Sequence, residues 1–226
     1  MSEPAATPGA VAPALPWSGP APSQPVLLKG LVRDWPVVQA ARQSPAALAA
    51  YVQGFGQSQA VTLWRAPASA QGRFFYNERF DGFNFVAEHA RLEDVLTQLV
   101  AVAAQPQADA LYVGSTTVER VWPGFKAQND LKGWSDDPLM SLWLGNRTRI
   151  AAHQDVPDNL ACVAAGRRRF TLFAPEQLPN LYIGPLDFTP AGQPISLVDT
   201  AQPDLERYPR FTLAHANRSA CRAGAR

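Results

Sequence analysis

The sequence predicts a mainly β domain with flanking helices, folded as a barrel or jelly roll, and three observations carry that reading. From Ala110 onward short runs rich in β-branched and aromatic residues recur (ALYVGSTT, MSLWLG, RIAAHQD, NLACVAA, RRFTLFA), punctuated by Gly, Pro and Asn. Neither strand–helix alternation nor a glycine-rich phosphate loop accompanies them, which disfavours a parallel nucleotide-binding sheet. The chain has 226 residues, 46% of them hydrophobic, enough for one sizeable core.

Residues 1–24 read as a flexible leader, because Pro, Ala and Ser dominate and few large apolar groups precede Trp17. Seven prolines by residue 25 and no basic start are not what a secretory signal is expected to show. VLLKGLV (26–32) is strand-like. Ser44-Pro45 then supplies a helix cap with proline in the first turn, leading into AALAAYVQGFG and a glycine stop.

AVTLWRA (60–66) and GRFFYN (72–77) predict a hairpin across a small-residue loop. A longer helix follows, with Phe85, Leu92, Val95, Leu96 and Leu99 on its apolar face and Glu88, Arg91 and Asp94 off it. His89 has no ligand-type residue spaced around it and reads as a surface or edge histidine.

A formal net charge of +1 creates no field that would make nucleic acid or an acidic membrane the default partner. No apolar run approaches the roughly 18 residues a membrane span needs. Cys162 and Cys221 are too far apart in sequence for a CxxC motif, and Cys162 among Leu160, Ala161 and Val163 reads as a small buried thiol. These features predict a cytoplasmic protein with no membrane partner.

In RIAAHQD, His153 and Asp155 are two residues apart, so on a strand they project to the same face. An imidazole nitrogen plus a carboxylate suits a divalent iron site that a third ligand completes. Beyond Gly166, Arg168 shares strand parity with Phe170 and Leu172, while Arg167 and Arg169 share the other face. An inward guanidinium is costly unless an anion meets it, and a bound carboxylate is a natural partner. The same alternation splits the three arginines between two faces, which makes a nucleic-acid role the weakest reading.

The stretch from Ser141 to Asp199 resembles the cupin-like branch of the JmjC-type Fe(II)/2-oxoglutarate-dependent oxygenases, the group that includes the asparaginyl hydroxylase of hypoxia-inducible factor. The residues that carry the resemblance occur in order: His153-x-Asp155, Asn159 six positions after the histidine, Gly166-Arg-Arg-Arg-Phe170 and Pro175-Glu-Gln177. The match spans residues 26–213 and is dense over 110–211. It implies a double-stranded β-helix holding Fe(II), with 2-oxoglutarate and O2 as co-substrates. It also implies iron ligation by His153 and Asp155, pairing of Arg168 with the distal carboxylate of 2-oxoglutarate, and a pocket lined by Tyr112 and Asn159.

Two departures from the family pattern stand out. Ile150 occupies a position where relatives carry a threonine that hydrogen-bonds 2-oxoglutarate. The Pro-Gly-Asp turn and the strand bearing the third iron ligand do not follow the YPRF segment; HANRSACRAGAR stands there instead, with His215 as the remaining downstream histidine. The expected organisation is a cupin-like domain over 25–213 and an atypical tail over 214–226 without strand period, as a truncation or frameshift would leave it. The β-helix is accordingly expected to be incomplete at its C-terminus.

The expected function is an Fe(II)/2-oxoglutarate-dependent dioxygenase of hydroxylase type, acting on a protein side chain or a small molecule and impaired by the missing histidine. The alternative is a non-catalytic cupin-like scaffold. Trp122, Trp134 and Trp143 are expected against an incomplete core. Oligomeric state is not encoded in any readable motif.

Overall fold

The computed structural model describes residues 22–56, 59–131 and 138–222; Trp134, most of the leader and the last residues of the tail lie outside them. Two helices open the fold, α1 (Pro36–Gln43) and α2 (Pro45–Gln53). The Ser44 hydroxyl accepts from the Ala47 amide at 3.0 Å and Gly54 takes the C-cap, as the sequence predicts. VLLKGLV is not a strand. Gly30 turns the chain at φ 73° with Arg33 N donating to its carbonyl at 3.1 Å, and α1, which periodicity does not announce in so short a run, follows.

The main sheet is antiparallel, in the order β3 (Val86–Arg91), β1 (Ala60–Ala66), β4 (Ala110–Thr117), β5 (Ser141–Gly145). The predicted hairpin does not form. After β1 a 3-10 turn and Gly72 (φ +78°) redirect the chain, and β2 (Arg73–Phe74) pairs in parallel with β6 (Arg149–Ile150). A Cβ at Gly72 would lie 2.3 Å from the Arg147 carbonyl oxygen, so only glycine permits this close approach.

The predicted long helix starts late. Val86–Arg91 is paired with β1 in register from Arg65↔Val86 to Ala60↔Arg91, and α3 begins at Leu92 and runs to Val102. Ladder hydrogen bonds to β1 override the helical period there, and Phe85 instead stacks on Trp64, with ring centroids 4.6 Å apart. His89 is exposed on β3, in keeping with a surface histidine.

Strand parity divides the sheet into two faces. Val61 and Leu63 of β1 and Leu111 and Val113 of β4 join the main core, with Val38, Val52, Leu92, Val95, Trp122 and Phe125. The last two belong to or flank the short helices α4 (Val118–Val121) and α5 (Phe125–Gln128). Each such buried side chain contributes about 1.5–3 kcal/mol of transfer free energy. Asn129, fully buried, ties this layer together: its Oδ1 accepts from Val37 N at 3.0 Å and its Nδ2 donates to the Tyr51 hydroxyl at 2.9 Å. On the opposite face Ala66, Ala110 and Tyr112 pack with Phe74, Trp64, Phe85 and Ile150. Of the remaining tryptophans, Trp122 is core and Trp143 is 48% exposed.

The strand β7 (Arg167–Phe173) pairs with β8 (Ala216–Arg222), from Arg167↔Arg222 to Phe173↔Ala216, as a ribbon separate from the other sheets. A strand in the tail corrects the expectation of an irregular end: β8 has no apolar alternation, and its backbone pairing with β7 supplies what pattern does not. NLACVAA, expected as a strand, is irregular. The arrangement is a mainly β fold with flanking helices in which the described strands form separate sheets rather than one closed barrel.

Candidate functional site

Tyr112 lies on the sheet face away from the helices, its ring 5.5 Å from that of Phe74 and 5.7 Å from that of Trp64. Ile150 packs in the same apolar group, so the position where relatives carry a hydroxyl is filled here by hydrocarbon. Beyond Ile150 the chain leaves β6 and is held by the segment 195–197. His153 bridges Ile195, and Ser196 N donates to the Ala152 carbonyl at 2.7 Å.

This backbone support fixes the histidine. Its Nδ1 lies 2.8 Å from the Ala151 carbonyl oxygen, which can only accept, so Nδ1 carries the proton. Nε2 is then turned to Asp155, 3.7 Å from Oδ1, with the two side chains 27% and 48% exposed. Asp155 is held in turn: Asn159 Nδ2 donates to its Oδ2 at 3.1 Å and Gln193 Nε2 to its Oδ1 at 3.4 Å. The strand expected to carry both residues ends at Ile150, so it is the loop beyond it, not strand parity, that sets His153 beside Asp155, with Asn159 on the carboxylate.

Arg168 departs from expectation in one respect. It is exposed rather than inward, with its guanidinium carbon 5.3 Å from the Phe170 ring centre, on a strand that among the described residues pairs with β8 alone. It is nonetheless near enough to act on Tyr112. Burial raises the Tyr112 hydroxyl above its usual range, Arg168 pulls it back down, and Asp155 pushes it up. Tyr112, Asp155 and Arg168 thus share one electrostatic neighbourhood, although no hydrogen bond links Arg168 to the others among the described residues.

The donor set tests the metal that this motif suggests. His153 Nε2 and Asp155 Oδ1, 3.7 Å apart, set one nitrogen and one oxygen side by side, the donor types that a divalent metal takes. Among the described residues no group of three His, Cys, Asp or Glu side chains converges. His215 lies elsewhere, its backbone N donating to Gln177 Oε1 at 3.1 Å. Among the described residues His153 and Asp155 are a pair of candidate donors, one short of a three-ligand centre.

Sequence reasoning missed Gln193 and the Ala151 carbonyl. A glutamine 38 residues from Asp155 carries no motif, and only the pairing of 195–197 against the histidine segment brings it there. Cys162 matches its expected character: its thiol is pushed up to about 11 by burial. Among the described residues no helix is long and apolar enough to cross a membrane.

Comparison with known proteins adds two findings. The chain is 36% identical over 73 residues to the tRNA wybutosine-synthesizing protein 5 of Gallus gallus, covering 32% of this chain and 20% of that one. It is 32% identical over 77 residues to the protein of the same name from Danio rerio, covering 34% and 19%. The chain thus matches about a fifth of the length of these curated relatives. The second finding concerns nearly the whole chain: the profile of the cupin-like domain matches residues 20–224, from ahead of α1 through the β7–β8 ribbon. This chain belongs to the cupin-like domain family.

Proposed function

We propose that this chain is an oxygenase-type cupin of the Fe(II)- and 2-oxoglutarate-dependent class, hydroxylase in type, whose turnover is impaired because its described residues offer two iron ligands rather than three. The observation that supports this most directly is the His153 Nε2 to Asp155 Oδ1 approach of 3.7 Å, with the tautomer fixed by Ala151. In that reading His153 and Asp155 hold the ion, and Arg168 attracts the distal carboxylate of 2-oxoglutarate. Tyr112, within the apolar group of Phe74, Trp64 and Ile150, and Asn159, on the Asp155 carboxylate, are then the pocket residues. Bound iron supplies the means to activate O2; the part of this chain is to position the anion and to orient Asp155 through the amides of Asn159 and Gln193.

An alternative is a non-catalytic cupin-like scaffold. It is favoured by Ile150, which replaces a polar contact with core packing, and by the absence of a converging third donor among the described residues. Anaerobic titration with Fe(II) in the presence of 2-oxoglutarate separates the two. Binding lost in His153→Ala supports the oxygenase lineage, whereas no binding to the native chain supports the scaffold. Succinate release is then assayed with peptide and with bulk tRNA as trial substrates, tRNA because of the names of the two relatives.

A further inference from the structure

The parallel pairing of β2 with β6 sets Arg73 directly opposite Arg149, a repulsive placement unless an anion intervenes. Asp199 intervenes: its Oδ2 lies 3.8 Å from Arg73 Nε and 3.2 Å from Arg149 Nη1. One carboxylate facing two guanidiniums leaves a positive charge over. The side chains are largely withdrawn from water, Arg73 25%, Arg149 32% and Asp199 18% exposed. Arg149 Nε is buried and has no hydrogen-bond partner among the described residues. Burial lowers the Arg73 guanidinium from its usual range, and the neighbouring Arg149 adds to this against the opposing pull of Asp199.

Arg73 and Asp199 form part of the lining of a cavity of about 410 Å³, and Arg207 lines it too. Arg207 has no carboxylate within ion-pair distance among the described residues; its guanidinium carbon stands 5.2 Å from the Phe80 ring centre and 5.4 Å from that of Tyr208. Phe80 is held at φ 59°, which is costly for a bulky side chain, by a tight loop in which Asn77 N donates to the Gly82 carbonyl at 2.9 Å. Two acidic residues also line the cavity. Asp204 is engaged as a turn cap, its Oδ1 accepting from Arg207 N at 3.0 Å, and Glu78 is exposed. Neither is in ion-pair contact with the excess charge on Arg73 and Arg149.

We infer that this cavity is a second ligand site, separate from the His153 centre, that binds a small molecule through an oxyanion, phosphate or carboxylate, received by Arg73 and Arg207 between aromatic walls. A ligand anion there supplies the counter-charge that Asp199 alone cannot give to two guanidiniums.

The test is calorimetric titration of the full chain with inorganic phosphate and, in a second arm, with acetate, ionic strength held constant with chloride. Saturable binding is expected, weakened about tenfold in Arg207→Gln. Arg207 is exposed, so this variant keeps its fold even if Arg73→Gln, which breaks the Asp199 cluster, does not. Arg168→Gln keeps native affinity, which separates this site from the 2-oxoglutarate reading. Tighter binding of phosphate makes the ligand a phosphate ester, and tighter binding of acetate makes it a carboxylic acid. No saturable heat with either anion, equal affinity in Arg207→Gln, or loss in Arg168→Gln instead overturns the inference.

Discussion

His153 turns Nε2 to within 3.7 Å of Asp155 Oδ1 while its Nδ1 donates to the Ala151 carbonyl 2.8 Å away. Neither contact is readable from an HxD pair alone, and together they orient both donors before any cation arrives. His153→Ala and Asp155→Ala should each abolish saturable Fe(II) binding under anaerobic conditions. Retained affinity in either variant would show that the pair does not hold the ion.

The two amides on Asp155 predict a smaller, graded effect. Asn159→Ala and Gln193→Ala should each weaken Fe(II) binding by about tenfold without changing the circular dichroism spectrum, since an outer partner orients a ligand without replacing it. An effect from Asn159→Ala that appears only in the 2-oxoglutarate titration would assign Asn159 to the pocket rather than to the carboxylate.

Arg168→Met should weaken 2-oxoglutarate binding by at least about tenfold, because the far carboxylate loses its charge-assisted partner. The same change removes the one influence that lowers the Tyr112 hydroxyl, leaving burial and Asp155 to raise it. Tyr112 should therefore ionise at higher pH in the variant than in the native chain, as read from its Cζ resonance. An unchanged titration would place Arg168 out of electrostatic reach.

Asp199→Asn should be strongly destabilising, by about 2 kcal/mol, since it leaves Arg73 and Arg149 facing each other across β2 and β6. The figure is lower than for a wholly buried pair because water still reaches a fifth to a third of these side chains. Urea denaturation measures it. A midpoint unchanged from the native chain would mean the two arginines find other counter-charges.

Burial holds the Cys162 thiol up to about 11 against a usual 9.0. The native state keeps its proton where the unfolded chain has lost it, so this group's contribution to stability is intact below pH 9 and is lost as pH rises from 9 to 11. Cys162→Ala should flatten that part of the stability profile. Iodoacetamide at pH 8 should label Cys162 slowly in the native protein and quickly in urea.

Local pattern alone made legible the fold class, the Ser44 cap and the β1, β4, β5 and β7 segments. Each of these follows from chemistry local to a few residues: a hydroxyl before a proline-started helix, or the two-residue period of a strand. Tertiary structure decided what local pattern cannot hold. Val86–Arg91 became a strand because β1 offered it a ladder, and β1 and β2 separated because Gly72 lets the chain pass close to Arg147. Arg168 lies exposed on a β7 that, among the described residues, pairs with β8 alone. The Asp155–Gln193 contact and the Arg73–Asp199–Arg149 cluster join residues 38 and more positions apart, and no periodicity links them. Their partners are chosen by the path of the backbone between them, which depends on the packing of the whole domain.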